Sequence, residues 1–214
     1  MNPELAQILA QGCRQLGVAE DAAVQGALLD YLAMLQKWNR AYNLTAVRDP
    51  LEMVRRHLLD SLAIVPHVPR GRLIDVGTGA GLPGIPLAIV YPEQEIHLLD
   101  SNVKKTRFLF QVKTALRLDN MTVHHARVEE FHDGGVYDAV LSRAFASLSD
   151  MVTGCRHLLA ADGSFLAMKG VFPEAELQAV QDQCELRASH PLKVPGLDAE
   201  RHLLELVPRD SGGH

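Results

Sequence analysis

The sequence predicts an α/β fold, a doubly wound and mostly parallel sheet preceded by a helical N-terminal extension. Apolar residues recur at three- and four-residue spacing through residues 1–66, which is typical of helices. From residue 70 onward, short apolar segments alternate with helix-like spacers, the pattern of βαβ units. A glycine-rich turn follows the first of these segments. We therefore expect a helical extension over 1–66 and a ligand-binding domain over 70–208.

In the extension, one predicted helix has apolar residues spaced from Leu28 to Trp38. Residues 40–45 interrupt the pattern. Asp49 followed by Pro50 predicts a helix N-cap with proline at the first helical position.

The second part of the chain contains six predicted strands separated by helices. The strands are 73–77, 96–100, 122–128, 137–142, 164–169 and 202–207, and the helices are 103–118, 148–159 and 173–183. Such sheets bind ligands beyond the carboxyl ends of their strands, where the strand order reverses. We therefore expect the ligand-binding residues in the segments that directly follow strands.

Composition excludes several classes of protein. The three cysteines form no CxxC pair, and the ten histidines show no metal-ligand spacing, so we expect neither a disulfide framework nor a metal. The net charge of −5 argues against attraction to nucleic acid through bulk charge, so such binding would need a local basic patch.

The sequence also bears on location. The first residues lack the pattern of a signal peptide, and the longest apolar stretch, 85–91, is too short to span a bilayer. We therefore expect a cytoplasmic protein without membrane contact. Residues 210–214 have no apolar anchor, and we expect them to fray.

Residues 75–81, which read DVGTGAG, directly follow the first predicted strand. A dinucleotide fingerprint, GxGxxG, can be aligned from Gly79, but it starts two residues too late and places a proline in the turn. The frame that begins at Asp75 resembles the first motif of class I, Rossmann-like methyltransferases. In that frame Gly77 and Gly79 belong to the loop that binds S-adenosylmethionine, and Asp75 lies near the amino group of this cofactor.

Asp100 ends the second predicted strand. A carboxylate there accepts hydrogen bonds from both ribose hydroxyls of a nucleoside, in NAD as well as in S-adenosylmethionine. The alternative role is an N-cap for the following helix, which Ser101 can perform equally well.

The segment after the fourth strand, Leu141 to Phe145, has neither a proline pair nor a cysteine. Methyl transfer to an amino nitrogen of a base usually involves an Asp/Asn-Pro-Pro-aromatic loop here, and transfer to C5 of a pyrimidine needs a cysteine. An acceptor that needs little activation is therefore implied. Guanine N7 is such an acceptor, because its lone pair is free and the reaction requires mainly alignment.

Four segments together resemble the glucose-inhibited division protein B family, bacterial 7-methylguanosine methyltransferases of 16S ribosomal RNA. They are 38–45 (WNRAYNLT), 56–61 (RHLLDS), 75–86 (DVGTGAGLPGIP) and 141–146 (LSRAFA). The resemblance runs from about residue 35 to 170. It implies S-adenosylmethionine as cofactor and 16S ribosomal RNA as substrate, within the small subunit or an assembly intermediate.

The resemblance also implies roles for individual residues. Gly77 and Leu82 would contact the cofactor through the glycine loop, and Asp100 would hold its ribose. Val128 and Glu129 would frame the adenine. Arg143 would lie where the cofactor meets the acceptor, as the candidate catalytic residue, bound either to the cofactor carboxylate or to guanine O6.

A basic helix is the candidate surface for RNA. Lys104, Lys105 and Arg107 lie at its start, and Arg56 is a further candidate in the extension. A solvated charged face is the alternative interpretation. The polar cluster of Asn39, Asn43 and Thr45, followed by Arg55, Arg56 and His57 on one turn, has two interpretations as well. It could be a lid over the guanine or an RNA contact, or it could be local helix capping beside a solvated charged face.

Three other functions remain open from the residues alone. They are a small-molecule methyltransferase, a nicotinamide-dependent oxidoreductase and a non-catalytic RNA-binding module. For the 16S ribosomal RNA methyltransferase implied by the resemblance we expect a monomer.

Overall fold

The structure is a computed structural model that describes residues 2–209, so the tail expected to fray lies outside the described residues. Its strands are Leu73–Val76 (β1), Ile96–Asp100 (β2), Met121–His125 (β3), Tyr137–Ser142 (β4), Leu159–Lys169 (β5), Cys184–Pro191 (β6) and His202–Pro208 (β7). They form one sheet in the order β3-β2-β1-β4-β5-β7-β6. Strands β1 to β5 pair in parallel, and β7 is antiparallel to β5 and β6. The predicted doubly wound, mostly parallel fold is confirmed.

The helices of the described chain lie between these strands and before them. They are Pro3–Leu16 (α1), Ala22–Tyr42 (α2), Pro50–Met53 (α3), Asp60–Leu62 (α4), Gly84–Val90 (α5), Val103–Leu116 (α6), Leu148–Cys155 (α7) and Glu174–Val180 (α8). A π-helix, Val54–Leu59, joins α3 to α4. The predicted N-cap is confirmed, since the Asp49 carboxylate accepts a hydrogen bond from the Glu52 backbone nitrogen at 2.9 Å. None of the helices described combines the length and apolarity needed to cross a membrane.

Some predicted boundaries were wrong. The third strand ends at His125, and Val128 belongs to a short 3-10 turn, because the chain bends away from the sheet there. Strand β5 begins at Leu159, where we predicted the end of a helix, and that helix stops at Cys155.

Strand β6 was missed. It is the edge strand of the sheet and pairs only with β7. Most of its side chains are exposed or half-buried, and only Cys184 is buried. Without a run of buried apolar residues, the segment carries no strand signal.

Successive residues of the central strands face opposite sides of the sheet, as strand geometry requires. Leu73 and Leu98 pack with the N-terminal helices and α6 on one side. Ile74 and Leu99 pack with α7 and α8 on the other. The N-terminal helices thus share a core with the sheet. The division of the chain into an extension and a domain at residues 66–70 stays a prediction.

Helix α2 also contacts the loop between β1 and α5. The hydroxyl of Tyr31 donates a hydrogen bond to the Ala80 carbonyl oxygen at 2.8 Å, and both residues are buried. Trp38, from the same helix, packs against Phe108 of α6, with 5.6 Å between the ring centroids. The N-terminal helices therefore help to hold the glycine loop in place.

Candidate functional site

The loop between β1 and α5 depends on glycine at its first position. Gly77 has a φ of +67°, a conformation that L side chains rarely adopt. A Cβ built on Gly77 would lie 3.0 Å from the Ala144 Cβ, so the space above this residue is narrow. The backbone nitrogens of Gly77 and Thr78 donate to the Leu99 carbonyl oxygen at 2.9 and 3.2 Å, which ties the loop to the end of β2.

Asp75 is buried in β1 and only one of its carboxylate oxygens is paired. Oδ2 accepts hydrogen bonds from the Thr78 hydroxyl at 2.7 Å and the Gly84 backbone nitrogen at 2.8 Å. Oδ1 is buried without a hydrogen-bond partner among the described residues. Burial raises the pKa of Asp75 to about 7, although the bonds from Thr78 and Gly84 oppose the shift. An unpaired buried carboxylate oxygen is costly, so it indicates a missing donor or cation.

Asp100 lies at the end of β2 and faces the glycine loop. Its Oδ2 accepts a hydrogen bond from the Gly79 backbone nitrogen at 2.9 Å, and its Oδ1 accepts one from the Asn102 backbone nitrogen at 2.8 Å. The N-cap of α6 is Asn102, whose side chain accepts from the nitrogens of Lys104 and Lys105. The alternative role for Asp100, and the suggestion of Ser101 as the cap, were therefore wrong.

A cavity of about 340 Å³, the first cavity, opens beyond the carboxyl ends of β1, β2 and β4. Its lining includes Gly77, Asp100, Val128 and Glu129, four of the residues predicted to contact the cofactor. It also includes Phe145, which lies in the segment singled out after the fourth strand but was not predicted as a site residue. Such a volume is within the usual range for small-ligand sites.

The other four residues predicted to contact the cofactor lie outside the lining of the first cavity. Gly79 belongs to the glycine loop, and its backbone nitrogen donates a hydrogen bond to Asp100. Leu82 is 3% exposed and packs in the core, so its side chain does not face the cavity. Asp75 lies beneath the loop, and Arg143 lines a different cavity.

That second cavity, of about 400 Å³, lies between the N-terminal helices and the ends of β5 and β7. Arg143 and Arg201 both line it, and both bind the buried Asp60. The Asp60 Oδ2 is 3.1 Å from Arg143 Nη1, and its Oδ1 is 3.0 Å from Arg201 Nε. The pKa of Asp60 is raised, because the effect of burial outweighs the opposing effect of the two guanidinium groups. Two cations share one carboxylate, which leaves a net positive charge.

Lys169 and His57 also line the second cavity, and both affect its charge. Lys169 Nζ is 2.8 Å from the Glu176 carboxylate on α8. Burial, followed by the charge of Arg143, lowers the pKa of His57 to about 4, so this imidazole is neutral at pH 7. His57 lies in the π-helix, and π-helical segments are frequent at functional sites.

The polar cluster between α2 and α3 makes mainly local bonds. Asn43 ends α2 in the left-handed conformation, and Asn39 Oδ1 accepts a hydrogen bond from the Thr45 nitrogen at 2.9 Å. The Thr45 hydroxyl lies 2.8 Å from His57 Nε2. These contacts favour the capping interpretation for the two asparagines. Arg56 instead lines the second cavity and pairs with Glu52 at 2.7 Å.

The residues of the basic helix α6 separate into two groups. Lys105 lines the first cavity, and its Nζ is 4.0 Å from the Asp100 carboxylate. Lys104 and Arg107 are exposed. The three residues lie within four positions of the chain, but the turn of the helix directs Lys105 away from Lys104 and Arg107.

A third polar cluster lies at the other end of the sheet. His97, His124 and Asp133 bring possible metal-ligand atoms within 4.8 Å of one another. His97 Nδ1 is 2.7 Å from His124 Nε2, and the Asp133 carboxylate is 2.8 Å from the Arg72 guanidinium. We interpret the cluster as a polar network with Arg72 as its cation. The expectation that no metal is bound was drawn from residue spacing along the chain, which does not reveal clusters formed by separate strands. It stays a prediction.

The fold is shared with solved methyltransferases. The glycopeptide N-methyltransferase MtfA, in complex with S-adenosylmethionine, has a TM-score of 0.58 at 12% identity, over 71% of this chain and 86% of that one. TrmN from Thermus thermophilus has a TM-score of 0.57 at 16% identity, over 80% of this chain and 53% of that one. At these identities the likeness concerns the fold alone.

Sequence relatives are much closer. The ribosomal RNA small subunit methyltransferase G of Cellvibrio japonicus is 54% identical over 98% of both chains. The protein of the same name from Stutzerimonas stutzeri is 57% identical over 94% of both. The model of the GidB family, described as rRNA small subunit methyltransferase G, matches residues 25–204. The chain therefore belongs to the rRNA small subunit methyltransferase G family.

Proposed function

We propose that this S-adenosylmethionine-dependent methyltransferase transfers the methyl group to N7 of a guanine in 16S ribosomal RNA. The observation that carries the proposal is the position of two cavities on either side of the segment after β4. Ala144 lines the first cavity and its neighbour Arg143 lines the second. A cofactor in the first cavity would thus adjoin an acceptor in the second.

The first cavity suits the cofactor. Asp75 lies beneath the glycine loop and outside the lining of this cavity, so the amino group of S-adenosylmethionine would reach its unpaired Oδ1 through water. Gly77 leaves room for a ligand against the backbone, and Asp100 retains free lone pairs for ribose hydroxyls. Val128 and Glu129 line the part of the cavity where adenine would lie.

The proposed reaction requires mainly that the protein aligns guanine N7 with the methyl group and the sulfur of the cofactor. Bound S-adenosylmethionine would supply an electrophilic methyl group. The bond between the methyl group and guanine N7 would form as the sulfur–methyl bond breaks, with S-adenosylhomocysteine as the leaving group, and because N7 carries no proton no general base is needed. The guanidinium of Arg143 keeps its proton at neutral pH and therefore acts only as a donor and a cation. Its place in the second cavity, fixed by Asp60, supports contact with the guanine over contact with the cofactor carboxylate.

RNA contact would rest on local charge, because the chain as a whole is acidic. Arg56, Arg143, Lys169 and Arg201 line the second cavity, and Lys104 and Arg107 are exposed on α6. We further propose that the protein acts in the cytoplasm as a monomer, without a metal, on the small subunit or an assembly intermediate.

The reaction is tested by tritiated methyl transfer into small ribosomal subunits from cells that lack the gene, followed by nucleoside analysis. We expect labelled 7-methylguanosine in 16S RNA. Label in a different nucleoside, or in a free metabolite only, would contradict the proposal.

S-adenosylhomocysteine is expected to raise the melting temperature of the protein, whereas NAD is not. A ligand that binds only the native state adds about 2.7 kcal/mol at a hundred times its dissociation constant. Differential scanning fluorimetry with both ligands measures the shift. Stabilisation by NAD alone would favour an oxidoreductase instead.

Replacing Lys104 and Arg107 together with alanine is expected to weaken binding to small subunits and to flatten its salt dependence. The slope of log affinity against log salt should fall by about 0.7–0.9 for each phosphate that the protein no longer neutralises. Lys105 is kept, because its replacement would also disturb the first cavity. Arg187→Ala with Lys193→Ala removes two exposed cations near β6 as a control. An unchanged slope would contradict the RNA contact and favour the alternative interpretation, in which Lys104 and Arg107 belong to a solvated charged face.

A further inference from the structure

Two consecutive large apolar side chains are exposed where β5 ends. Val171 is 74% exposed and Phe172 is 39% exposed. They directly follow Lys169 and Gly170, which line the second cavity. Single exposed apolar residues need no explanation, whereas an adjacent pair at the rim of a charged cavity is a candidate for contact with a partner.

Hydrogen bonds hold this exposed segment in place. His202 Nδ1 lies 2.9 Å from the Gly170 carbonyl oxygen, and because a carbonyl only accepts, Nδ1 is the donor. The same imidazole meets the Phe172 ring edge to face, with 5.6 Å between centroids. The Glu174 nitrogen donates to the Phe172 carbonyl oxygen at 3.2 Å. The aromatic ring is therefore presented to solvent in an ordered conformation, which lowers the entropic cost of binding a partner.

The charge beside this ring indicates the kind of partner. Arg143 and Arg201 share the single carboxylate of Asp60, so the second cavity keeps a net positive charge. Cations that hold phosphates, next to an aromatic ring that stacks on a base, form the usual site for unpaired nucleotides. A protein partner would need apolar contact but no π-face.

We propose that Phe172, supported by His202, is a stacking platform for an unpaired RNA base next to the guanine that is methylated. This inference rests on the proposed function and adds to it Phe172, which lines neither cavity but contacts His202 in the wall of the second. The ring acts by holding the RNA, so its removal should change affinity for the substrate and leave the chemical step intact.

The test compares Phe172→Ala, Phe172→Tyr and Phe172→Leu in methylation of small subunits at saturating S-adenosylmethionine. Removal of a stacked ring should raise KM for small subunits about tenfold, with kcat unchanged. The tyrosine variant should restore the wild-type KM, and the leucine variant should not. Val136→Ala, which shortens an exposed apolar side chain before β4, is the matched control. Melting temperature and S-adenosylhomocysteine affinity should stay at wild-type values throughout.

An unchanged KM in Phe172→Ala would overturn the stacking platform while leaving the proposed reaction intact. Rescue by leucine as complete as by tyrosine would also overturn it and indicate an apolar contact with a protein. A wild-type protein that methylates no ribosomal RNA would contradict the proposed function itself, and this inference with it.

Discussion

Gly77→Val is expected to abolish binding of S-adenosylhomocysteine and, with it, methyl transfer. The valine side chain would enter the narrow space between the glycine loop and Ala144, where the added Cβ alone already lies 3.0 Å from the Ala144 Cβ. The same space belongs to the first cavity, so side chain and cofactor would compete for it. Isothermal titration measures the effect on binding, and single-turnover methylation measures the effect on transfer.

The effect of backbone strain at Gly77 must be separated from the effect of the side chain blocking the cavity. Gly17 provides the control. Gly17 has a φ of +66°, nearly that of Gly77, but a Cβ there meets nothing within 4 Å. Gly17→Val should therefore suffer a comparable conformational cost, about 1–2 kcal/mol, and still bind the ligand normally. Normal ligand affinity in a folded Gly77→Val protein would remove Gly77 from the cofactor site.

Arg143→Ala is expected to cut turnover about a hundredfold, with a much smaller change in S-adenosylhomocysteine affinity. The guanidinium lies in the second cavity and is oriented by Asp60 at 3.1 Å, so its removal should misplace the acceptor. A misplacement of about 1 Å can cost on the order of a hundredfold in rate. Single-turnover methylation and isothermal titration on the same preparations give both quantities.

Two further variants interpret that result. Arg143→Lys keeps the charge but loses the paired donors, so it should recover only part of the rate. Arg187→Ala removes an exposed arginine that is paired with Glu205 on β7, and it should behave as wild type. Equal decreases in ligand affinity and turnover in Arg143→Ala would assign Arg143 to the cofactor carboxylate. Near-normal activity would exclude it from the site.

The periodicity of the sequence was sufficient to predict the fold class and four residues that line the first cavity. Apolar strands and the turn residues after them are local features, and ligands in parallel sheets lie beyond the strand ends. Gly77, Asp100, Val128 and Glu129 all follow or end strands, and the structure places all four in the first cavity. Their roles toward the cofactor stay predictions.

Contacts between distant segments had no such local signal. Asp60 meets Arg201 across 141 positions of the chain, and it meets Arg143 across 83. Only the packing of the N-terminal helices against the sheet brings these three side chains to one cavity. The turn of α6 places adjacent residues on different faces, and tertiary packing decides which face meets the first cavity, so Lys105 lines it while Lys104 stays exposed. The sequence by itself therefore determined the fold class and the position of the glycine loop after β1, whereas the edge strand β6 and the second cavity depend on how separate elements pack.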